Sequence, residues 1–202
     1  MRQLSDAREL RALAHPLRMA IVEQLALDGP LTATELADRL DETPANCSWH
    51  LRKLAEHGFV EEDRDAASGR RRPWRVPEIG MTWKGADADP DQQRAALALS
   101  DVSMGRSVAR YHEANQRAAE EPAAWRDAAG GTQNMVWVTP DELAALTADL
   151  QAVVMRHHDR LADRDARPEG SRLCELVAWG VPTYLPGLEA TAPGGAADEV
   201  DR

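Results

Sequence analysis

Two helix starts eleven residues apart constrain this chain more than anything else in it. Thr32-Ala33-Thr34-Glu35 is a capping box: the threonine hydroxyl accepts the backbone N–H three residues on, and the glutamate carboxylate reaches back to the N–H of Thr32. Thr43-Pro44 is a second start, with threonine as N-cap and proline at the first helical position, where its missing N–H is no loss. The first helix, carrying Leu36 and Leu40, must therefore end by Asp41-Glu42. The second is expected to run to His57, where Gly58 terminates it. Two short helices on so tight a turn make a helix-turn-helix.

Two more helices are expected ahead of it. Leu4, Leu10, Leu13 and Ala14 give one apolar stripe ending before Pro16, and Leu17, Ile21, Val22 and Leu25 give another that stops at Asp28-Gly29-Pro30. After Gly58, residues 59–64 and 71–76 read as two strands around a glycine-containing loop, with Pro73 marking the second as an edge. Residues 79–90 read as a linker.

Beyond Pro90 the pattern changes. Leu97, Met104, Tyr111 and Ala118 fall seven apart, with Val108 and Asn115 between them, on a long helix over about residues 91–120. That spacing suits a helix lying along another, as at a dimer seam, and suits equally a helix packed on its own domain. Residues 135–138 and 173–179 are strand-like. Between them Thr139 to Glu142 form a second capping box, followed by a stripe of Leu143, Leu146, Leu150, Val153, Val154 and Leu161 on a helix over about residues 141–161. Residues 191–202 have the composition of a disordered tail. The fold class is mainly α (α+β). A helix-turn-helix with its hairpin is expected over residues 1–84, a second, helical region with a small β element over 85–190, and a tail after that.

No apolar run approaches the roughly 18 residues of a membrane span, and the first residues lack the apolar centre of a secretory signal. Two cysteines, Cys47 and Cys174, are too few for a disulfide framework and suit a reducing compartment, so the cytoplasm is expected and a membrane partner is not. The net charge of −10 argues against a polyanionic partner only until the chain is divided. Residues 1–85 hold 13 Lys/Arg against 14 Asp/Glu, a balance of −1, and residues 86–202 hold 11 against 20, a balance of −9. Local field decides what nucleic acid meets, and in the first part the positives gather in Arg70, Arg71, Arg72 and Arg75.

Cys47 and His50, three apart on one helix, raise the question of a metal site. At 100° per residue Cys47, Leu51 and Leu54 share the face that must pack inward, so Cys47 acts as a small hydrophobe. His50 falls at the boundary, more suited to a backbone or phosphate bond than to a metal. The pair offers two ligands at most, and no third Cys or His lies nearby in sequence. Ala45, Asn46, Trp49, Arg52, Lys53 and Glu56 fall on the opposite face. That mix of amide, indole, guanidinium and ammonium suits the major groove of double-stranded DNA, with the arginine run placed for phosphate.

With those residues in view, "ALAHPLRMAIVEQL", "TATELADRLDETPANCSWHLRKLAEHGFVEEDR" and "SGRRRPWRV" resemble the winged-helix domain of ArsR-type transcriptional regulators over about residues 8 to 76. The resemblance implies that Thr43, Pro44, Asn46, Ser48, Trp49, His50, Arg52 and Lys53 lie on a recognition helix near DNA, and that Arg70, Arg71 and Arg72 form the wing. Trp49 stands where that family carries a small polar or basic residue. Its metal-sensing members carry paired cysteines on the helix before the recognition helix, where this chain has "TATELADRL", with no Cys or His. His157 and His158 are adjacent and point about 100° apart on a helix, so they make no pair. No metal or other cofactor is expected.

The function expected is therefore a homodimeric, sequence-specific transcriptional regulator. Leu97, Met104, Val108 and Tyr111 would form the dimer seam, and a small-molecule effector stays an open option. An enzyme is not expected, since residues 86–202 show no phosphate-cradling glycine motif, nucleophile elbow or Cys/His cluster. A winged module that binds protein, or an accessory head on an unrecognised enzyme, are the alternatives.

Overall fold

Asp6 decides how the chain begins. In the computed structural model, which describes residues 2–68, 71–83 and 89–186, its carboxylate accepts the Arg8 N–H at 2.6 Å and caps α1 (Ala7–Leu13). Leu4 therefore precedes the helix instead of opening its stripe. It lies on β1 (Arg2–Leu4), which pairs in parallel with β4 (Met81–Trp83) in the register Arg2 to Met81 and Leu4 to Trp83. The expected linker over 79–90 thus contains a strand, and residues 84–88 of it lie outside the described residues. α2 (Pro16–Asp28) starts from His15, whose Nδ1 accepts the Leu17 N–H at 3.2 Å, and stops at Gly29, whose φ of +80° suits glycine.

The helix-turn-helix forms where its caps place it. α3 (Ala33–Leu40) and α4 (Pro44–Ala55) follow, and the hairpin after them is short, β2 (Glu61–Glu62) against β3 (Trp74–Arg75), antiparallel. α4 ends two residues before His57, and the chain leaves it through Gly58 at φ +67°. Leu10, Leu13, Ile21, Leu25, Leu36, Leu51, Leu54 and Val60 are fully buried among these elements. Each contributes roughly 1.5–3 kcal/mol of burial against chain entropy.

α5 (Pro90–Arg117) is the long helix, continued by a 3-10 turn at Ala118–Glu120. Its first turns belong to the same core: Ala95, Ala96 and Leu99 are buried against α1, the small side chains allowing close approach. The Trp83 indole N–H donates to Ser100 Oγ at 2.9 Å, and Arg11 pairs with Asp91 at 3.0 Å. Further along, Arg106 and Arg110 both bond Glu23 on α2, and Arg110 bonds Glu175 at 2.5 Å. The seven-residue row faces elsewhere: Leu97, Met104, Val108 and Tyr111 are exposed, so α5 does not use it to pack on its own core.

The described chain forms two compact units, one from Met1–Asn134 with His157–Glu175, the other from Met135–Arg156 with Leu176–Arg202. Compactness therefore does not divide at residue 84. The first unit also holds α6 (Ala123–Ala128) and α8 (Asp159–Ala162), the latter against α2. The second is built on α7 (Pro140–Val154), whose capping box is complete: the Thr139 N–H donates to Glu142 at 2.7 Å and the Glu142 N–H to Thr139 Oγ1 at 3.3 Å. Gly180 lies on α7 so closely that a β-carbon would meet Leu143 at 3.0 Å and Thr147 at 3.1 Å.

Two expectations about this half are corrected. The helix ends at Val154, so Leu161 belongs to α8 and not to the α7 stripe. Apolar spacing runs on through the intervening turn and cannot show the break. Residues 135–138 and 173–179 make no β-ladder among the described residues. Their apolar runs have strand character but no ladder partner among the described residues, and Glu175 is held instead by Arg110 and Ser107. Residues 191–202 lie outside the described residues. No helix among those described is long and apolar enough to cross a membrane.

Candidate nucleic-acid interface

Local chemistry positions α4 from both ends. The Thr32 N–H donates to Glu35 Oε2 at 2.7 Å and the Glu35 N–H to Thr32 Oγ1 at 3.2 Å, closing the box that starts α3. Asp41 takes the left-handed conformation, φ 53°, and turns the chain. Thr43 Oγ1 then accepts the Asn46 N–H at 3.2 Å to start α4. At the far end Arg2, from β1, donates to the carbonyls of His57 and Gly58, each at 2.8 Å, and so ties down the turn by which the chain leaves α4.

α4 buries Cys47, His50, Leu51 and Leu54 and leaves Ala45, Trp49, Arg52 and Glu56 in one exposed line. Thr43 and Pro44 are exposed beside it, and Asn46, Ser48 and Lys53 are half-buried along its flanks. Cys47 is wholly inside, and burial pushes its thiol pKa up, away from the thiolate a metal needs. Among the described residues no group of three or more His, Cys, Asp or Glu could hold a metal ion.

His50 is the correction on this helix. It is 4% exposed and lies inside the core, not at a boundary. Its ring lies 4.7 Å from that of His15 and 4.7 Å from that of Trp49, the latter edge-on at 88°. Its Nδ1 has no hydrogen-bond partner among the described residues. Desolvation holds its pKa below the usual histidine value, and the charges of His15 and Arg18 add to this. Helical projection leaves position 50 at the edge, and the burial comes from His15, the N-cap of α2, whose ring closes over it.

The cations are unequally free. Lys53 is paired with Glu56 at 2.9 Å, and the Asn46 amide donates to Glu42 at 2.9 Å. Arg52 has no partner among the described residues, so its guanidinium is open. In the hairpin Arg75 pairs with Glu61 at 2.7 Å, and Arg71 with Glu35 at 3.0 Å. Arg72 donates to the Arg71 carbonyl at 3.2 Å, while Arg70 lies outside the described residues. The Thr32 backbone bond, then the Thr32 hydroxyl and Arg71, bring the Glu35 pKa down to about 2. The buried Asp63 carboxylate accepts the N–H groups of Asp65 and Ala66 at 3.0 and 3.1 Å and shapes the hairpin loop.

Arg2, His15 and the Glu35–Arg71 pair support this surface without being apparent from helical spacing. The His15-Pro16 start was a visible signal for His15, since proline at the first helical position marks an N-cap before it. Arg2 gives none.

Residues 13–63 match the family model described as a helix-turn-helix domain. Comparison with curated proteins finds no match. Among solved structures the chain is similar to Lactococcus lactis ZitR, wild type in complex with DNA, at 15% identity over 70% of this chain and 73% of that one, with a TM-score of 0.31. It is also similar to a MarR family transcription regulator at 18% identity over 77% and 78%, with a TM-score of 0.33.

Proposed function

We propose that this chain is a sequence-specific DNA-binding transcriptional regulator of the ArsR-like winged-helix class, acting in the cytoplasm as a homodimer without a metal switch. The observation that carries this reading is the exposed line of Ala45, Trp49 and Arg52 on a helix that the fold fixes at both ends. A helix so presented fits the major groove, and an open guanidinium can bond the O6 and N7 of guanine together. Thr43 and Ser48 flank the line for phosphate and sugar contacts, which set register without reading sequence, and Asn46 and Lys53 join them on leaving Glu42 and Glu56. Arg71 and Arg72, with Arg70, serve as the wing on the backbone. Arg71 comes to phosphate by leaving Glu35, an exchange of one anion for another.

One recognition helix reads only a few base pairs, so two heads must be held together on half-sites. The exposed row Leu97, Met104, Val108 and Tyr111 on α5 is the surface suited to that pairing, because it faces away from the core that the same helix helps to build. The balance of −9 over residues 86–202 would keep that half away from DNA and turn the heads toward it. The test is selection from a pool of random duplex DNA. Enrichment of a two-half-site sequence is expected, and a pool that stays random through successive rounds would overturn the reading.

A further inference from the structure

Trp49 is the only large apolar side chain of α4 left open, at 49% exposed. It stands one turn beyond Ala45 and three residues before Arg52, so the first half of the exposed line is apolar and its next turn cationic. The indole is backed by a built support. The His50 ring lies edge-on against it, the His15 ring lies against His50, and His15 is fixed by accepting the Leu17 N–H at the start of α2. An indole held in this way loses less rotamer freedom on binding than a free one would.

The neighbours offer few free donors, since the Asn46 amide is engaged by Glu42 and Lys53 by Glu56. In the major groove the bases present hydrogen-bonding groups at every pair and a single kind of apolar group, the 5-methyl of thymine. We infer that Trp49 is a specificity-determining residue that reads a thymine methyl in each half-site, with His50 and His15 as its positioning residues. This rests on the DNA-binding reading above and adds the chemistry that the site selects. Arg52 sets a guanine preference, and Trp49 sets a thymine that no hydrogen bond reports.

The experiment replaces each thymine of the selected site in turn by uracil, which removes the methyl and keeps every donor and acceptor. Affinities are measured for the full-length wild type and for Trp49→Gln. One thymine per half-site is expected at which uracil weakens the wild type about fourfold, the effect of one buried methyl-sized group. The Trp49→Gln variant should bind both versions equally. His50→Ala should shrink the uracil effect while leaving the guanine preference intact, and His50→Phe, which keeps a ring under the indole, should restore it. Wild-type affinity unchanged within twofold by uracil at every position, on a site that selection did enrich, would overturn the inference and leave DNA reading standing. So would a uracil effect of the same size in Trp49→Gln. A selection that enriches nothing would remove the DNA-binding reading and this inference with it.

Discussion

Glu35→Gln should strengthen DNA binding, although it removes an ion pair from the folded protein. Glu35 does two things: it returns the cap to the Thr32 N–H at 2.7 Å, and it holds Arg71 at 3.0 Å. Glutamine keeps the first, because its side-chain oxygen can accept the same N–H. It loses the second, releasing the guanidinium and deleting a negative charge beside the phosphate path. Both side chains of the pair are more than a third exposed, so the stability loss should stay under about 1 kcal/mol. Freeing that pair, at about 0.2–1 kcal/mol per head, corresponds to roughly 1.5- to 5-fold tighter binding. The slope of log affinity against log salt should steepen by up to about 0.9 per head.

The effect should hold across working pH, because Glu35 titrates only at about 2. Its folded pKa is depressed, so its stabilising contribution is present above the ordinary carboxylate value and is lost as pH falls toward 2. Fluorescence anisotropy on a labelled duplex over a salt series reads both numbers, with urea unfolding as the check on the cap. Weaker binding with an unchanged slope, in a variant that unfolds like the wild type, would refute the claim that Arg71 moves from Glu35 to phosphate.

Arg52→Ala should cost about 1–3 kcal/mol on the selected site and much less on random DNA, as competition assays would register; an equal loss on both would make Arg52 a phosphate contact. Glutamate at Met104 and Val108, both exposed on α5, should dissociate the dimer in sedimentation while the melting temperature stays near that of the wild type. A dimer unaffected by both charges would move the seam elsewhere. Cys47→Ala should destabilise by about 1 kcal/mol through a small cavity, with DNA affinity kept and unaltered by chelator or zinc. A several-fold zinc response in the wild type would restore the metal switch. His15 and His50 are both held below the ordinary value of 6.5 by burial, so the fold binds fewer protons there than the unfolded chain does. Stability should therefore fall as pH drops below about 6.5 toward the lowered values, and His50→Phe should flatten that slope in pH-dependent unfolding. A wild-type curve already flat from 7 to 5 would contradict the buried-ring geometry.

The helix-turn-helix was legible because its signals are local. A threonine, a glutamate three residues on and a Thr-Pro start act within one turn of chain, and Cys47, Leu51 and Leu54 need only helical spacing to be placed inside. Pairings set by distant chain were not legible. β1 meets β4 across some eighty residues, and nothing in Arg2-Gln3-Leu4 names Met81-Thr82-Trp83 as its partner. Arg2 reaches the end of α4 only because that pairing carries it there. His50 looked like a surface boundary until His15 closed over it. The role of α5 was half legible: its seven-residue row marked one apolar face without saying what it packs on, while Ala95, Ala96 and Leu99 form another that fills the core with α1. A chain cut near Lys84 would leave that core open on α1, so the substitutions at Met104 and Val108 are the cleaner probe of dimerisation.

Whether the line through Ala45, Trp49 and Arg52 reads sequence is measured by the ratio of specific to non-specific affinity. Full-length protein, at one fixed salt concentration, is titrated into the duplex enriched by selection and into a shuffled duplex of equal length and composition. A ratio of about a thousandfold or more is expected, collapsing toward unity in the Trp49→Gln, Arg52→Ala double variant. A wild-type ratio within a few-fold of one would mean that the helix touches DNA only through charge, and the claim that it reads sequence would fall.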